Sequence, residues 1–155
     1  MKNLQILLSD THFGIKNNSS VWLESQLGFF YNEVLKFIKK FKNEYEITVV
    51  HCGDVFDSRT TVNVKTFDLV QSLINEIASN VKEVVILAGN HDYYLQDNCE
   101  SNISSLAMLK HADNVRILHY IYNWYNIDDN LFLHPRGGCA RPGAPPKPGT
   151  TIWVN

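Results

Sequence analysis

The sequence predicts an α/β fold built on a mostly parallel β-sheet. Short apolar runs rich in β-branched residues alternate with longer segments in which apolar residues recur every three or four positions. The short runs resemble strands buried on both faces, and the longer segments resemble amphipathic helices. Strands that alternate with helices along a chain usually form a parallel sheet. The predicted strands are residues 4–8, 47–51, 84–87, 115–118 and 131–133.

The helices are predicted between these strands. From Trp22 to Phe41, apolar residues recur at helical steps, and Ser19 or Ser20 can cap the amino end of this first helix. We expect its aromatic stripe to lie in the core. A second helix is predicted over residues 64–77 and a shorter one over residues 103–110.

Composition limits the class of protein. The 155 residues, 45% of them hydrophobic, suffice for one globular domain with a substantial core. No apolar run approaches the roughly 18 residues of a membrane helix, and no secretory signal begins the chain, so we expect a cytoplasmic protein that does not contact membranes. The net charge of −2 argues against binding nucleic acid through a strongly basic surface. Three cysteines without CxxC spacing indicate reduced thiols.

The composition changes at about Pro135. No proline precedes this position, whereas all five prolines and half of the eight glycines lie from it onward. The segment after it has no acidic residue and no hydrophobic period. We therefore predict a folded part over residues 1–135 and a disordered or non-native tail over residues 136–155.

Polar side chains follow each of the first three predicted strands. The carboxyl ends of parallel strands meet at one edge of a sheet, so we expect these side chains to lie together. Gly53 and Gly89 let the backbone approach such a site closely. The polar residues are Asp10 and His12 in SDTHFG, Asp54 and Asp57 in HCGDVFD, and Asn90, His91 and Asp92 in AGNHD.

The two central carboxylates require positive charge. Asp10 and Asp54, if about 4 Å apart, repel each other by roughly 4 kcal/mol at an effective dielectric constant near 20. Only Arg59 is basic in these loops, but a divalent cation offsets the repulsion directly. Asp oxygen, His nitrogen and Asn oxygen suit Mn, Fe, Zn or Mg. On an extended segment Asp10 and His12 would point to the same side and could bind one ion.

The motifs D-x-H, GDxxD and GNHD, in this order and each after a strand, resemble those of the calcineurin-like metallophosphoesterases. The wider strings SDTHFGIK, GDVFDSR and AGNHDYY resemble the nuclease subunit of SbcCD-type repair complexes, and most closely the recombination endonuclease subunit of tailed bacteriophages. The resemblance covers residues 1–133. It implies an α/β/β/α sandwich, of which this chain would carry the N-terminal βαβαβ half.

The resemblance also implies two divalent metal ions, usually manganese, with Mg, Fe or Zn as alternatives. Asp10 and His12 would bind the first ion, Asp54 would bridge both ions, and Asn90 would bind the second. Such a pair lowers the pKa of a shared water molecule and stabilises the attacking and leaving oxygens.

The remaining polar residues of the motifs would support the ions. His91 would face the scissile phosphate as a proton donor or a positive charge, and Asp57 and Asp92 would orient the metal ligands. The family completes its site with a later histidine and a Gly-His-x-His motif, which this sequence lacks. We therefore expect an incomplete second metal site and some uncovered apolar surface.

Three functions remain open from the sequence. The first is a metal-dependent DNA endo- or exonuclease subunit of a recombination and repair complex, which would bind DNA, an SMC-like ATPase and a second copy of itself. The second is a phosphatase or cyclic phosphodiesterase of the same superfamily. The third is a non-catalytic fragment that folds in part. The string HFGIK favours the nuclease.

Other notable residues have structural interpretations. His51 and Cys52 are expected to pack at a strand end, and residues 120–126 to form a partly buried edge strand. His119 and His134 lie at strand ends, where either could replace a missing ligand.

Overall fold

A computed structural model describes residues 2–94, 104–119, 125–128, 131–135 and 150–154. In this part of the chain four strands form a parallel sheet, in which neighbours in sequence are also neighbours in space. The strands are β1 (Lys2–Leu8), β2 (Tyr45–His51), β3 (Glu83–Leu87) and β4 (Val115–Leu118). The predicted α/β class and its parallel sheet are thereby confirmed.

Three further strands form a second sheet. β5 (Tyr125–Asp128) pairs antiparallel with β6 (Leu131–Pro135), which pairs parallel with β7 (Thr150–Val154). β5 overlaps the expected edge strand at residues 120–126 by two positions. β7 lies within the segment for which we expected no regular structure. Its sequence TTIWV is rich in β-branched and aromatic residues, which favour strands. Residues 136–149 lie outside the described residues, so the domain boundary stays a prediction.

The first predicted helix is divided into several parts. A short turn, α1 (Ile15–Asn18), with left-handed backbone at Lys16 and Asn17, precedes α2 (Ser20–Phe29). A π-helical turn at Phe30–Val34 joins α2 to α3 (Leu35–Phe41). Ser19 occupies the N-cap of α2, although its side chain makes no capping hydrogen bond.

The aromatic stripe of this helical segment lies only partly in the core. Phe30 and Ile38 are 5% and 0% exposed, whereas Trp22, Phe29 and Phe37 are 51%, 53% and 43% exposed. Adjacent helical residues such as Phe29 and Phe30 point about 100° apart, so one helix face cannot bury both. The expectation that the whole stripe is buried was therefore wrong.

Of the remaining helices, one lies between β2 and β3 in the sequence and the other between β3 and β4. α4 (Val64–Ala78) is capped by Asn63, whose side chain accepts hydrogen bonds from the backbone N–H groups of Lys65 and Thr66. The helix predicted at residues 103–110 is instead a short 3₁₀ helix, Ser105–Met108. Leu109 ends it, because its backbone is already extended (φ −67°, ψ 125°).

The core lies mainly between the first sheet and the helices. Val49, Val84 and Ile86 project from the sheet into the same apolar cluster as Ile38 and Leu73. Alternate strand residues point to opposite faces, and the intervening residues Val50, Val85 and Leu87 are also fully buried. The two central strands, β2 and β3, are therefore buried on both faces, as predicted. Among the described helices, none has both the length and the apolar character that crossing a bilayer demands.

Candidate metal centre

The first two polar loops are joined by backbone hydrogen bonds beyond the ends of β1 and β2. The Asp10 N–H donates to the Gly53 carbonyl (3.1 Å), and the His12 N–H donates to the Asp54 carbonyl (3.0 Å). The pairing of the two strands thus continues into the loops. This continuation places Asp10, His12 and Asp54 at one edge of the sheet, as the sequence predicted.

These three residues share an unusual backbone conformation. Asp10, His12 and Asp54 have φ angles of 53°, 45° and 56°, in the left-handed region that most L-residues avoid. The expectation that Asp10 and His12 lie on an extended segment was therefore wrong. Their side chains nevertheless approach each other, because the hydrogen bonds to the second loop fix both residues.

One candidate ligand group consists of Asp10, His12 and Asp54. His12 Nε2 lies 3.9 Å from Asp10 Oδ1 and 4.0 Å from Asp54 Oδ2. One ligand atom from each residue fits within 4.8 Å of the others. The Asp10 side chain is 67% exposed, whereas Asp54 is buried. The group therefore spans the boundary between the protein interior and the solvent.

A second candidate group consists of His12, Asp57 and His91. His12 Nδ1 lies 3.4 Å from Asp57 Oδ1, and the His12 and His91 rings pack edge to face with their centroids 4.8 Å apart. Ligand atoms of these three residues also lie within 4.8 Å of one another. The two groups share His12. The geometry thus brings Asp57 and His91 close enough to bind an ion, whereas the resemblance implies that Asp57 orients the ligands and that His91 faces the scissile phosphate.

The donor set fits a divalent cation. His12 Nδ1 is buried and has no hydrogen-bond partner among the described residues, a state that is unfavourable for a polar atom. A cation between His12 and Asp57 would satisfy this nitrogen. Carboxylate oxygen and imidazole nitrogen are shared by Mn, Fe and Zn sites, so the donors admit several metals.

The third polar loop is attached to the second through Asp54. The His91 N–H donates to Asp54 Oδ1 (2.8 Å). Gly89 is buried against the same carboxylate, and a Cβ added at Gly89 would lie 2.8 Å from Asp54 Cγ. The close approach expected at Gly89 is therefore present. Asn90 lies between Gly89 and His91 and is partly buried. Its role as a metal ligand stays a prediction.

A backbone carbonyl determines which His91 nitrogen carries a proton. His91 Nδ1 lies 2.6 Å from the Asp57 carbonyl oxygen. A carbonyl oxygen only accepts hydrogen bonds, so Nδ1 must carry the hydrogen and donate it. Nε2 is then the nitrogen that can take up or release a proton.

Asp92 connects the second and third loops from the protein interior. Its buried carboxylate accepts hydrogen bonds from the backbone N–H groups of Val55 (3.3 Å), Phe56 (3.1 Å) and Gly89 (2.9 Å). Burial raises the pKa of Asp92 to about 6, although the three hydrogen bonds act in the opposite direction. Asp92 therefore holds the two loops together, and its role in orienting the metal ligands stays a prediction.

Two supporting residues were not found from the sequence. Thr11 Oγ1 donates to the Val55 carbonyl (3.2 Å) and accepts a hydrogen bond from His51 Nε2 (3.0 Å), and the Gln26 side chain donates to the Thr11 carbonyl. Burial lowers the pKa of His51 to about 4. His51 is thus a neutral packing residue, as expected. Thr11 and Gln26 belong to common residue types in no recognisable motif, so the sequence carried no signal for them.

Of the two histidines considered as substitute ligands, the structure describes the side chain of one, His119. His119 is partly buried and belongs to neither ligand group, in a search that covered only the described residues. The side chain of His134 lies outside what the structure describes.

Burial raises the pKa of the Cys52 thiol, which keeps it protonated and unreactive.

The fold matches that of known proteins. The family model of the calcineurin-like phosphoesterases matches residues 6–148. Ten solved chains match the fold; one is the nuclease MPE of Pseudomonas putida, with a TM-score of 0.50 and 17% identity. That alignment covers 96% of this chain and 59% of the other, so this chain spans just under three fifths of its relative. A search of the curated proteins found no match.

Proposed function

The chain belongs to the calcineurin-like phosphoesterase family, and on this premise we propose that it is a metal-dependent nuclease that hydrolyses phosphodiester bonds in DNA. The family's common chemistry is hydrolysis of phosphoester bonds with bound divalent metals. The choice of DNA as substrate rests on the wider motif strings, of which SDTHFGIK and GDVFDSR are the most distinctive. The nuclease title of the Pseudomonas putida relative is consistent with this choice.

One observation carries the proposal. Two groups of possible ligands, each with its donor atoms within 4.8 Å, share His12 at the carboxyl edge of the parallel sheet. Ions held by the donors of these neighbouring groups would lie beside one phosphate and would supply the charge stabilisation that phosphodiester hydrolysis uses. Asp10 and Asp54 would hold one ion with His12. Asp57 or Asn90 would contribute to the other.

The chain's own residues prepare the reaction. Bound ions would supply positive charge and an activated water molecule. Asp54 orients the third loop, because its carboxylate accepts the His91 N–H. His91 keeps Nε2 for the reaction, because Nδ1 donates its hydrogen to the Asp57 carbonyl. In its protonated form His91 would donate a proton to the leaving oxygen.

The cellular role follows from the motif resemblance alone. We propose that the protein is the nuclease subunit of a recombination and repair complex of the SbcCD or phage type, works in the cytoplasm and pairs with an SMC-like ATPase and a second copy of itself. Manganese is the expected metal. Size-exclusion chromatography with light scattering tests the homodimer, and co-purification with a co-expressed ATPase subunit tests the complex.

The function is tested by a comparison of three substrates. Linear DNA, bis-p-nitrophenyl phosphate and p-nitrophenyl phosphate are incubated with purified protein and Mn²⁺. A nuclease cleaves the DNA and the diester, whereas a phosphatase acts on the monoester only. If none of the three is hydrolysed with Mn²⁺, Mg²⁺, Fe²⁺ or Zn²⁺, the proposed activity is wrong and the non-catalytic alternative holds.

The metal site is tested by Asp54→Ala. We expect this variant to lose all metal-dependent hydrolysis and the thermal stabilisation that Mn²⁺ gives to the unmodified protein. Asp68→Ala removes an exposed carboxylate from helix α4 and serves as the matched control. Full activity in Asp54→Ala would contradict the assignment of the site.

A further inference from the structure

A cleft of about 320 Å³ opens beside the candidate metal centre. No residue of either ligand group lines it, but its walls begin two residues after Asp57, at Arg59, and three residues after His91, at Tyr94. The cleft therefore lies immediately downstream of the two loops that contact each other at the centre. Its lining residues are Arg59, Thr60, Thr61, Val62, Tyr94, Ser104, Ser105, Ala107 and Met108.

The walls of the cleft are fixed by hydrogen bonds. The Ser58 hydroxyl accepts from the Thr61 backbone N–H (3.2 Å) and orders the first wall. On the other side, the Ser105 N–H donates to the Asp92 carbonyl (3.0 Å) and ties the 3₁₀ helix to the third loop. The contact between His91 Nδ1 and the Asp57 carbonyl joins both walls at the metal centre. The cleft is thus preformed, which reduces the entropic cost of binding.

The side chains in the cleft carry three kinds of chemistry. Arg59 is partly buried and has no ion-pair or hydrogen-bond partner in the part of the chain that the structure describes, so its guanidinium is available to an anion. Tyr94 and Met108 are 47% and 60% exposed and offer an aromatic ring and a polarisable side chain. Thr60, which is exposed, adds a hydroxyl group. A phosphate, a base and a sugar, respectively, match these groups.

We propose that this cleft binds the nucleotide next to the scissile phosphate in a nucleic acid strand, with Arg59 on its phosphate and Tyr94 stacked on its base. This assignment rests on the proposed nuclease function and names a subsite for it. The volume lies at the lower end of the range for small-molecule pockets, which suits one nucleotide rather than a longer segment. The subsite also gives a near-neutral protein a local means of holding a polyanion.

Binding is tested without hydrolysis, by fluorescence anisotropy of a short fluorescein-labelled oligothymidylate in EDTA. Arg59→Ala and Tyr94→Leu should each weaken binding about 10-fold. Arg59→Ala should also reduce the slope of log affinity against log salt by about 0.7, as expected when one phosphate contact to a single strand is lost. Absence of binding by the unmodified protein, or equal binding by all variants, would overturn the subsite.

Two control variants match the substitutions in type. Arg116 is bonded to Glu83 at the amino end of β3, the opposite end from the cleft. Tyr31 neighbours Glu76 near the carboxyl end of α4, whereas the cleft precedes the amino end of that helix. We expect Arg116→Ala and Tyr31→Leu to bind the oligonucleotide as the unmodified protein does. Loss of binding in these controls equal to that in the cleft variants would show a general surface effect and refute the subsite.

Kinetics separates this proposal from the proposed function. With Mn²⁺, the cleft variants should raise KM for the oligonucleotide about 10-fold more than KM for bis-p-nitrophenyl phosphate, which lacks a neighbouring nucleotide. Equal losses on both substrates would refute the subsite and leave the nuclease assignment intact. Binding that depends on Arg59 and Tyr94, without hydrolysis of any substrate, would support the subsite and refute the activity.

Discussion

Gly89→Ala is expected to disable the metal centre through one added methyl group. The backbone of Gly89 does not have a positive φ, so alanine can adopt its conformation without backbone strain. The added Cβ would instead lie 2.8 Å from Asp54 Cγ, and closer still to Asp54 Oδ1 and the Asp54 backbone nitrogen. The substitution therefore tests a single contact between the second and third loops.

The size of the effect follows from this overlap. Carbon atoms approach each other to about 3.5 Å, so Asp54 Cγ and the new methyl group have to separate by at least about 0.7 Å, and the closer Asp54 Oδ1 and backbone nitrogen require more. Both loops are fixed by the bonds of Asp92, so the shift cannot be absorbed without moving the ligands. A misplacement of about 1 Å costs roughly 100-fold in rate, and overpacking costs about 1–3 kcal/mol in stability.

The assays are Mn²⁺-dependent hydrolysis of bis-p-nitrophenyl phosphate and thermal unfolding with and without Mn²⁺. We expect Gly89→Ala to lose at least 10-fold in kcat/KM and most of the metal-induced rise in Tm. Gly28→Ala is the control, because a Cβ in helix α2 would have its nearest neighbour, Asn32 Nδ2, at 3.9 Å. This control should gain about 0.5–1 kcal/mol and keep full activity. Unchanged turnover and metal response in Gly89→Ala would refute the reasoning.

Three other variants give independent tests. His91→Ala should reduce turnover by 100-fold or more while Mn²⁺ still raises Tm; equal loss of both would instead make His91 a ligand together with His12 and Asp57. His51→Gln should remove an acid sensitivity, because the folded state keeps His51 neutral until about pH 4 whereas the unfolded state protonates near pH 6.5. The contribution of neutral His51 to the free energy of unfolding is complete above pH 6.5 and decreases by about 2 kcal/mol between pH 6.5 and pH 5. Urea unfolding of both proteins at several pH values measures this difference. Asn63→Ala should cost about 1 kcal/mol in urea unfolding at neutral pH, because two backbone N–H groups of α4 lose their acceptor; no loss would show that water replaces the cap.

The sequence was most informative where periodicity and burial coincide. The predicted segments of β2 and β3 are correct because their consecutive apolar residues need burial on both faces. The gathering of Asp10, His12 and Asp54 follows from the parallel topology alone, since strands that run in one direction end at one edge. Neither inference required knowledge of side-chain contacts.

Other features depend on contacts that no local pattern encodes. The helical periodicity of residues 22–41 does not distinguish the buried Phe30 from the exposed Phe29, because that choice depends on where α2 meets the sheet. The left-handed backbone at Asp10 and His12 is imposed by hydrogen bonds from a loop some 40 residues away. In β7, a local strand preference was masked by the composition of the surrounding segment.

The positive φ angles at Asp10, His12 and Asp54 place backbone strain at the three candidate metal ligands. Each such residue stores on the order of 1 kcal/mol that glycine would release. Glycine at Asp10 or His12 would relieve this strain but remove a candidate ligand, whereas glycine at Asp54 would also leave the His91 N–H without its acceptor. Backbone strain and the candidate metal ligands therefore coincide at the same three positions.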